Sequence, residues 1–244
     1  MYLSHDRPDI ANACKEAARH MKEPMQVSME MMKRIGRYLR GTPRVVRRFY
    51  QQQWCGKLLT QVDADHAGCV MTRKSTTCTV MMHGGHNLSL TSNIQSVQAT
   101  SSGESEFYAI TKGLSNSLGM RSLTLDFGLL VFKIVIETDS SAGKGIALRL
   151  GAGKLKHIET QYLWSQKVFY DKLAELKKIP RGDNAADIGT RHCTAKEIET
   201  GLKQMGWCEL LGSSKLALKA VGQGSATSKE VSVVSKRELM NELD

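Results

Sequence analysis

The stretch of residues 57–91, KLLTQVDADHAGCVMTRKSTTCTVMMHGGHNLSLT, carries the clearest indication of the fold class of this chain. Apolar and β-branched residues dominate three short segments of it, at 57–62, 75–82 and 87–91, which predicts three strands. The pair Gly84-Gly85 separates the second segment from the third and indicates a hairpin turn. The stretch therefore predicts a meander of three antiparallel strands.

Downstream of this stretch, helices and strands alternate. A helix that opens at Ser101 has an apolar stripe at spacings of three and four residues, formed by Phe107, Ile110, Leu114 and Leu118. Further elements follow in the order strand, helix, helix, strand, short helix and capped helix, at 131–136, 140–150, 159–172, 173–179, 184–191 and 194–206. This order predicts an α/β fold, in which a mixed sheet of three antiparallel strands and then parallel strands is flanked by helices.

The two ends of the chain differ from this central part. Helical spacing of apolar residues predicts helices at 8–21 and 28–40, whereas 212–229 is rich in Gly, Ser and Ala and shows little periodicity. We therefore expect a helical segment at 1–50, an α/β domain at 51–208, and a linker or disordered tail at 209–244.

The charge of the chain indicates a polyanionic partner. The formal net charge is +10, from 34 Lys and Arg against 24 Asp and Glu, and the sequence pI is near 9.4. Eleven of the basic and five of the acidic residues lie in residues 1–55. Such an excess favours binding through neutralisation of phosphates. The predicted helix at 28–40 has a basic face, which is either a solvated surface or a track for phosphates.

The cysteines and the hydropathy pattern bear on the compartment. The six cysteines form no CxxC pair and have no histidines at zinc-ligand spacing, so we expect reduced thiols. No stretch approaches the roughly 20 apolar residues of a membrane span, and the N-terminus lacks the layout of a signal peptide. We therefore expect a cytoplasmic or nuclear protein without a membrane partner.

Four acidic residues lie where predicted strands or helices begin or end, namely Asp63, Glu106, Asp139 and Asp187. Carboxylates at such ends are fixed by rigid supports and remain open to solvent, as a metal site requires. If they cluster, they repel one another unless a cation neutralises them, which implies Mg²⁺ or Mn²⁺, hard ions that prefer oxygen ligands. Taken singly, each is better explained as a helix cap, a turn residue or a surface charge than as a metal ligand.

The sequence around these four residues is more specific than any one of them. The segments VDADHAG (62–68), SSGESEFYA (101–109), TDSSA (138–142) and NAADIGTR (184–191) contain them in order. These segments resemble, in the same order, the four motif blocks of the RNase H of copia-type retrotransposons.

The resemblance extends over about residues 1–207. Residues 2–10 and 33–42 look like the stretch that joins reverse transcriptase to RNase H in these elements, and 73–77 and 156–158 are similar to further family blocks. The polymerase motif with its paired aspartates is absent from the sequence, so we do not expect this chain to synthesise DNA.

The resemblance implies an RNase H-like fold and an endoribonuclease that cleaves the RNA strand of RNA·DNA hybrids by two-metal-ion hydrolysis. It implies that Mg²⁺ or Mn²⁺ is bound by the catalytic residues Asp63, Glu106, Asp139 and Asp187. The residues that it implies for nucleic-acid binding are Arg73, Lys74, Ser140 and Ser141. The implied partners are the hybrid and an upstream reverse transcriptase.

Two positions have a competitor nearby. Asp65 competes with Asp63, but the first carboxylate after the strand is the better held. Glu104 competes with Glu106, but the pattern Ser101-x-x-Glu104 is a capping box and gives Glu104 a structural role. We therefore favour Asp63 and Glu106 as the site residues.

The sequence departs from the family pattern at some positions. His66 stands where the family often has Trp, and no histidine precedes the fourth carboxylate in 179–183. His157 and His192 are the nearest candidates for a proton-handling role, although a surface or capping role is favoured for both. Two other functions remain open: a catalytically inactive remnant that binds nucleic acid, and a DNA-cutting transposase or integrase.

Overall fold

The computed structural model of the chain describes residues 3–129, 132–153 and 156–211. Its strands are β1 (Val45–Arg47), β2 (Lys57–Ala64), β3 (Thr76–His83), β4 (His86–Ile94), β5 (Lys133–Thr138), β6 (Ala174–Lys178) and β7 (Trp207–Glu209). Its α-helices are α1 (Leu3–Asp6), α2 (Ala11–Ala18), α3 (Gln26–Gly41), α4 (Ser102–Asp126), α5 (Ser141–Leu148), α6 (Thr160–Tyr170) and α7 (Ala195–Gln204). Short 3-10 helices span Pro8–Ile10, Arg181–Asp183 and Ala185–Gly189.

The main sheet has five strands in the order β4-β3-β2-β5-β6. Strand β3 pairs antiparallel with β2 and with β4, whereas β5 pairs parallel with β2 and with β6. Gly84 takes a positive φ of 59° in the turn between β3 and β4, a conformation that glycine adopts without strain. The predicted RNase H-like fold class, a mixed sheet with three antiparallel strands followed by parallel ones, is confirmed.

Pairing between strands moves some predicted boundaries. Strand β2 continues through Asp63 to Ala64, because both residues pair with β3. Strand β5 ends at Thr138 rather than at Ile136, because its last residues pair with β2 and β6 on either side. The start predicted for this strand, at residue 131, lies outside the described residues.

Helix α4 covers one face of the sheet and forms the larger core with it. The predicted stripe is buried in this core, with Phe107, Ile110 and Leu114 fully buried and Leu118 packed at the edge. A Cβ at Gly113 would clash with the side chain of Val62, so glycine permits the close approach of helix and strand at this point. This approach brings the first turns of α4 to the C-terminal end of β2.

A second core covers the opposite face of the sheet. Cys78 and Val80 of β3 pack there with Ala186 of the 3-10 helix, Leu202 of α7 and Trp207 of β7. The predicted capping box forms at the start of α7, where Thr194 and Glu197 satisfy each other's backbone N–H groups. Strand β7 pairs antiparallel with β1, and the sequence did not predict this two-stranded sheet.

The N-terminal helices pack against the sheet. The helix predicted at 8–21 is a 3-10 turn followed by α2, which ends at Ala18, before Pro24. On α2, Lys15 donates a hydrogen bond to Thr76 Oγ1 at 2.7 Å, and Asn12 donates one to the carbonyl of Arg191 at 2.8 Å. The proposed boundary at residue 50 stays a prediction.

The proposed C-terminal tail at 209–244 overlaps the described residues only at 209–211, where Glu209 pairs with Val45 as the last residue of β7 and the Leu210 N–H donates to the Arg44 carbonyl. The predicted linker at 212–229, with the rest of the proposed tail to residue 244, lies outside the described residues. Within the described ranges, no helix combines the length and the apolar character needed to cross a membrane.

Candidate metal centre

Asp63, Glu106 and Asp139 meet at one end of the sheet. One carboxylate oxygen of each lies within 4.8 Å of the other two. Strands β2 and β5 are parallel neighbours in which Val62 stands beside Thr138, so the next residues, Asp63 and Asp139, emerge side by side. Glu106 reaches them from the second turn of α4. Residues 76 positions apart along the chain are thus juxtaposed by the register of the sheet.

Small residues around Glu106 make room for this convergence. Gly143, in the first turn of α5, lies so close that an added Cβ would stand 2.7 Å from Glu106 Cβ. Ser140 caps α5 by accepting a hydrogen bond from the Gly143 backbone N–H at 3.0 Å. The start of α5 therefore packs directly against the base of the Glu106 side chain.

Asp63 and Glu106 resist ionisation in the absence of a cation. Burial, followed by the charges of Asp63 and Asp139, raises the pKa of Glu106 to about 9. Burial also raises the pKa of Asp63 to about 6, against the effect of Thr190, whose hydroxyl donates to Asp63 Oδ2 at 2.5 Å. Asp63 and Glu106 are each only 7% exposed.

This arrangement fits a divalent cation. Glu106 Oε2 is buried and has no hydrogen-bond partner in the described structure, and such an atom is costly unless something binds it. Carboxylate oxygens are the ligands that Mg²⁺ and Mn²⁺ prefer. A cation bound by Asp63, Glu106 and Asp139 would satisfy the orphan oxygen and offset the mutual repulsion of the three groups.

Asp187 lines the same cavity, of about 470 Å³, but it is held differently. It lies in the 3-10 helix Ala185–Gly189, and the group of oxygens within 4.8 Å of one another does not include it. Arg191 binds both of its carboxylate oxygens, and Arg181 Nη2 lies 3.6 Å from Oδ1. The structure thus brings three of the four predicted site residues together and pairs the fourth with arginine.

The two competing carboxylates have structural contacts. Asp65 Oδ1 accepts a hydrogen bond from the backbone N–H of Thr76, although Asp65 also lines the cavity. Glu104 is 1% exposed and accepts hydrogen bonds from Thr100 and from Tyr108. Burial alone would raise the pKa of Glu104, but these bonds and one from His157 outweigh it and lower that pKa to about 2. Only the Ser101 half of the expected capping box forms, because Glu104 bonds Thr100 instead.

The residues predicted to contact nucleic acid divide into two kinds. Arg73 and Ser141 are exposed. Lys74 donates a hydrogen bond to the Ser96 carbonyl at 2.5 Å, and Ser140 caps α5 while lining the cavity. Of the two candidate histidines, His157 contacts Glu104 at 3.0 Å, and His192 is exposed.

Sequence reasoning missed the residues that hold the carboxylates. Thr190 binds Asp63, and Asn184 fixes the same region by donating to the Val62 carbonyl at 2.9 Å. The pair of Asp187 and Arg191 had a usable signal in the helix predicted at 184–191, because opposite charges four residues apart on an α-helix face each other. The structure forms the pair from a 3-10 helix that ends at Gly189. The contacts of Thr190 and Asn184 join residues more than 120 positions apart, and no local pattern predicts them.

Comparisons with known proteins identify relatives over most of the chain. The Retrovirus-related Pol polyprotein from transposon TNT 1-94 of Nicotiana tabacum is 30% identical over 194 residues, which are 79% of this chain and 14% of that protein. The corresponding polyprotein from transposon RE1 of Arabidopsis thaliana is 26% identical over 207 residues, 84% of this chain and again 14% of that protein. The chain therefore spans about one seventh of the length of these relatives.

Solved structures and family models add less than these sequence relatives. Among solved structures, LC11-RNase H1, isolated from compost, aligns with 55% of this chain and 93% of its own, at 17% identity and a TM-score of 0.38. No family model matches the sequence. On the strength of its sequence relatives, the chain belongs to the copia-type retrotransposon Pol polyproteins.

Proposed function

We propose that this chain is a metal-dependent ribonuclease H that hydrolyses the RNA strand of RNA·DNA hybrids. The observation that carries the proposal is the convergence of Asp63, Glu106 and Asp139, with one oxygen of each within 4.8 Å of the others. Its membership of the Pol polyproteins supports this substrate, because reverse transcription produces such hybrids. The net charge of +10 suits a polyanionic substrate.

The proposed cofactor is Mg²⁺ or Mn²⁺, held by Asp63, Glu106 and Asp139, with Asp187 completing a site for two ions. Bound there, such ions supply Lewis-acid stabilisation of the phosphodiester and lower the pKa of the attacking water. The chain's own residues position these ligands. Thr190 holds the Asp63 carboxylate through its hydroxyl, and the packing of α5 against Glu106 fixes that side chain.

Substrate contacts are proposed for the residues around the cavity. Arg73 and Ser141 are exposed and free to approach phosphates or 2′-hydroxyls, the groups that distinguish an RNA strand from DNA. Lys74 and Ser140 would contribute from positions that the protein already fixes by hydrogen bonds. A reverse transcriptase encoded upstream in the same polyprotein is the proposed protein partner.

A second candidate function is a catalytically inactive remnant that binds nucleic acid. The arginine pairing of Asp187 favours it, because this carboxylate is already neutralised within the protein. A DNA-cutting nuclease, which would use a similar set of carboxylates, is a third outcome that the same experiment distinguishes.

The test is cleavage of a labelled RNA·DNA hybrid with Mg²⁺, beside single-stranded RNA and duplex DNA of the same sequence. We expect the wild-type chain to cut the RNA strand of the hybrid alone and Asp139→Asn to leave it intact. Hybrid that is bound but never cut would favour the remnant, and cleavage of duplex DNA but not of hybrid would favour the DNA nuclease.

A further inference from the structure

Arg191 surrounds the carboxylate of Asp187. Its Nε donates to Oδ1 and to Oδ2 at 3.1 Å each, and its Nη2 donates to Oδ2. Hydrogen bonds to Asp187 and Glu197 raise the pKa of Arg191, and they outweigh the opposing effect of burial. Forked, charge-assisted bonds of this kind are among the stronger polar contacts in proteins. Both oxygens that Asp187 could offer to a cation therefore already accept hydrogen bonds from a guanidinium group.

The same guanidinium has a second acceptor close by. Arg191 Nη2 also donates to Glu197 Oε1 at 2.8 Å. The other oxygen of Glu197 accepts from the backbone N–H and the hydroxyl of Thr194, at 2.7 and 2.8 Å, so the start of α7 fixes this carboxylate. Arg191 thus bridges one carboxylate that lines the cavity and another that belongs to a helix cap outside it.

Solvent access allows the guanidinium to change partners. The Arg191 side chain is 37% exposed, whereas that of Asp187 is 17% exposed. Arg191 can leave Asp187 without losing an ion-pair partner, because the contact with Glu197 already exists. Arg181, whose side chain is 73% exposed and stands 3.6 Å from Asp187, adds positive charge without forming such a fork.

We propose that Arg191 is a positioning residue that withholds Asp187 from cations, and that Glu197 retains its guanidinium when a cation takes Asp187. This inference rests on the proposed function. Its consequence is an order of binding. The first cation binds Asp63, Glu106 and Asp139, which have no positive partner of comparable closeness among the described residues, and a second is bound only as Arg191 releases Asp187.

The experiment measures binding of Mn²⁺ alone, by electron paramagnetic resonance of the free ion, to the full chain. We expect two Mn²⁺-binding events in the wild type, one tighter and one weaker. Arg191→Gln should strengthen the weaker event about fivefold, which is the scale of a partly exposed ion pair. Glu197→Gln should weaken the same event about threefold, because Arg191 then has Asp187 as its better acceptor.

Arg181→Gln is the matched control, since it removes the same charge near Asp187 without removing the fork. We expect it to change the weaker event by less than about twofold, the small effect of an exposed ion pair. Equal effects of Arg181→Gln and Arg191→Gln would overturn the proposal, because simple charge removal would then explain both. A shift of Arg191→Gln and Glu197→Gln in the same direction would also overturn it.

Arg191→Lys is a second variant that guards against a folding defect in Arg191→Gln. It keeps the charge but cannot form the forked hydrogen bonds. If Arg191→Gln does not fold, the affinity of the weaker Mn²⁺-binding event is measured in Arg191→Lys instead. A higher affinity than in the wild type supports the proposal, and an unchanged affinity overturns it. Hybrid cleavage is assayed independently. The expected Mn²⁺ affinities without any cleavage would contradict the ribonuclease assignment and leave the role of Arg191 supported.

Discussion

The two halves of one cavity differ in how the charges of their carboxylates are balanced. Asp63, Glu106 and Asp139 lie together, with burial and mutual repulsion raising the pKa of the first two. Asp187, on the same cavity, is paired with Arg191 and Arg181. The first half therefore needs an external cation to be stable when ionised, whereas the second half carries its own positive charge.

The largest expected effect is on catalysis when the first half is damaged. Asp63→Asn should reduce hybrid cleavage by roughly a hundredfold or more, the scale seen when one charge-stabilising group is lost from an active site. Asp187→Asn should reduce it less, because Arg191 already restrains this carboxylate. Initial rates of cleavage with saturating Mg²⁺ measure both effects.

The matched control for these two variants is Asp126→Asn, at the exposed C-terminal end of α4. We expect its cleavage rate to equal that of the wild type. If Asp187→Asn proves more damaging than Asp63→Asn, the contrast between the two halves of the cavity is wrong.

A smaller effect is expected on stability without metal. The folded chain holds a proton on Glu106 that the unfolded chain releases, because the pKa is about 9 when folded and 4.5 for an unperturbed glutamate. Stability from this group is therefore complete below about pH 4.5 and is lost as pH rises toward 9. In EDTA, we expect the free energy of unfolding to fall by about 4 kcal/mol between pH 5 and pH 8, at 1.36 kcal/mol for each unit of pKa shift realised in that window.

The free energy of unfolding is measured by urea denaturation followed by circular dichroism, and Glu106→Gln is the variant compared with the wild type. The variant cannot ionise at position 106, so its stability should vary much less between pH 5 and pH 8, apart from the share that the raised pKa of Asp63 contributes up to about pH 6. Identical pH profiles for the variant and the wild type would show that ionisation of Glu106 is not what makes stability depend on pH.

The smallest expected effect is on stability when the ion pair of Arg191 and Asp187 is broken. Because the Arg191 side chain is 37% exposed, solvent screens its bond to Asp187, and Arg191→Gln should lower stability by about 1 kcal/mol or less. A double-mutant cycle with Asp187→Asn isolates the pair from the contact of Arg191 with Glu197. A coupling energy indistinguishable from zero in metal-free buffer would remove the basis for treating Asp187 as already neutralised.

Most of the fold could be predicted because its signals are local. The stripe of Phe107, Ile110 and Leu114 marks the buried face of α4, and Gly84 marks the hairpin, each within a few residues. The pairing of β1 with β7 could not be predicted. Each strand has only three residues, and their partners lie some 160 positions apart, so neither carries a periodic pattern of its own.

The site divides in the same way. Asp63 and Asp139 could be proposed because each stands at the end of an apolar strand, and the register of β2 with β5 brings them together. The contact of Thr190 with Asp63 depends on tertiary packing across 127 positions. Sequence patterns therefore locate the carboxylates, whereas the groups that set their charge depend on long-range contacts.

If Asp63, Glu106 and Asp139 share one cation, Mn²⁺ binding followed by electron paramagnetic resonance will weaken when any one of them is replaced. We predict that Asp63→Asn, Glu106→Gln and Asp139→Asn each weaken the tighter event by about tenfold or more, as loss of a charged ligand should. Asp65→Asn, on the same cavity, should leave that event unchanged. Tight Mn²⁺ binding that survives all three substitutions, or that Asp65→Asn abolishes, would contradict a cation shared by these three carboxylates.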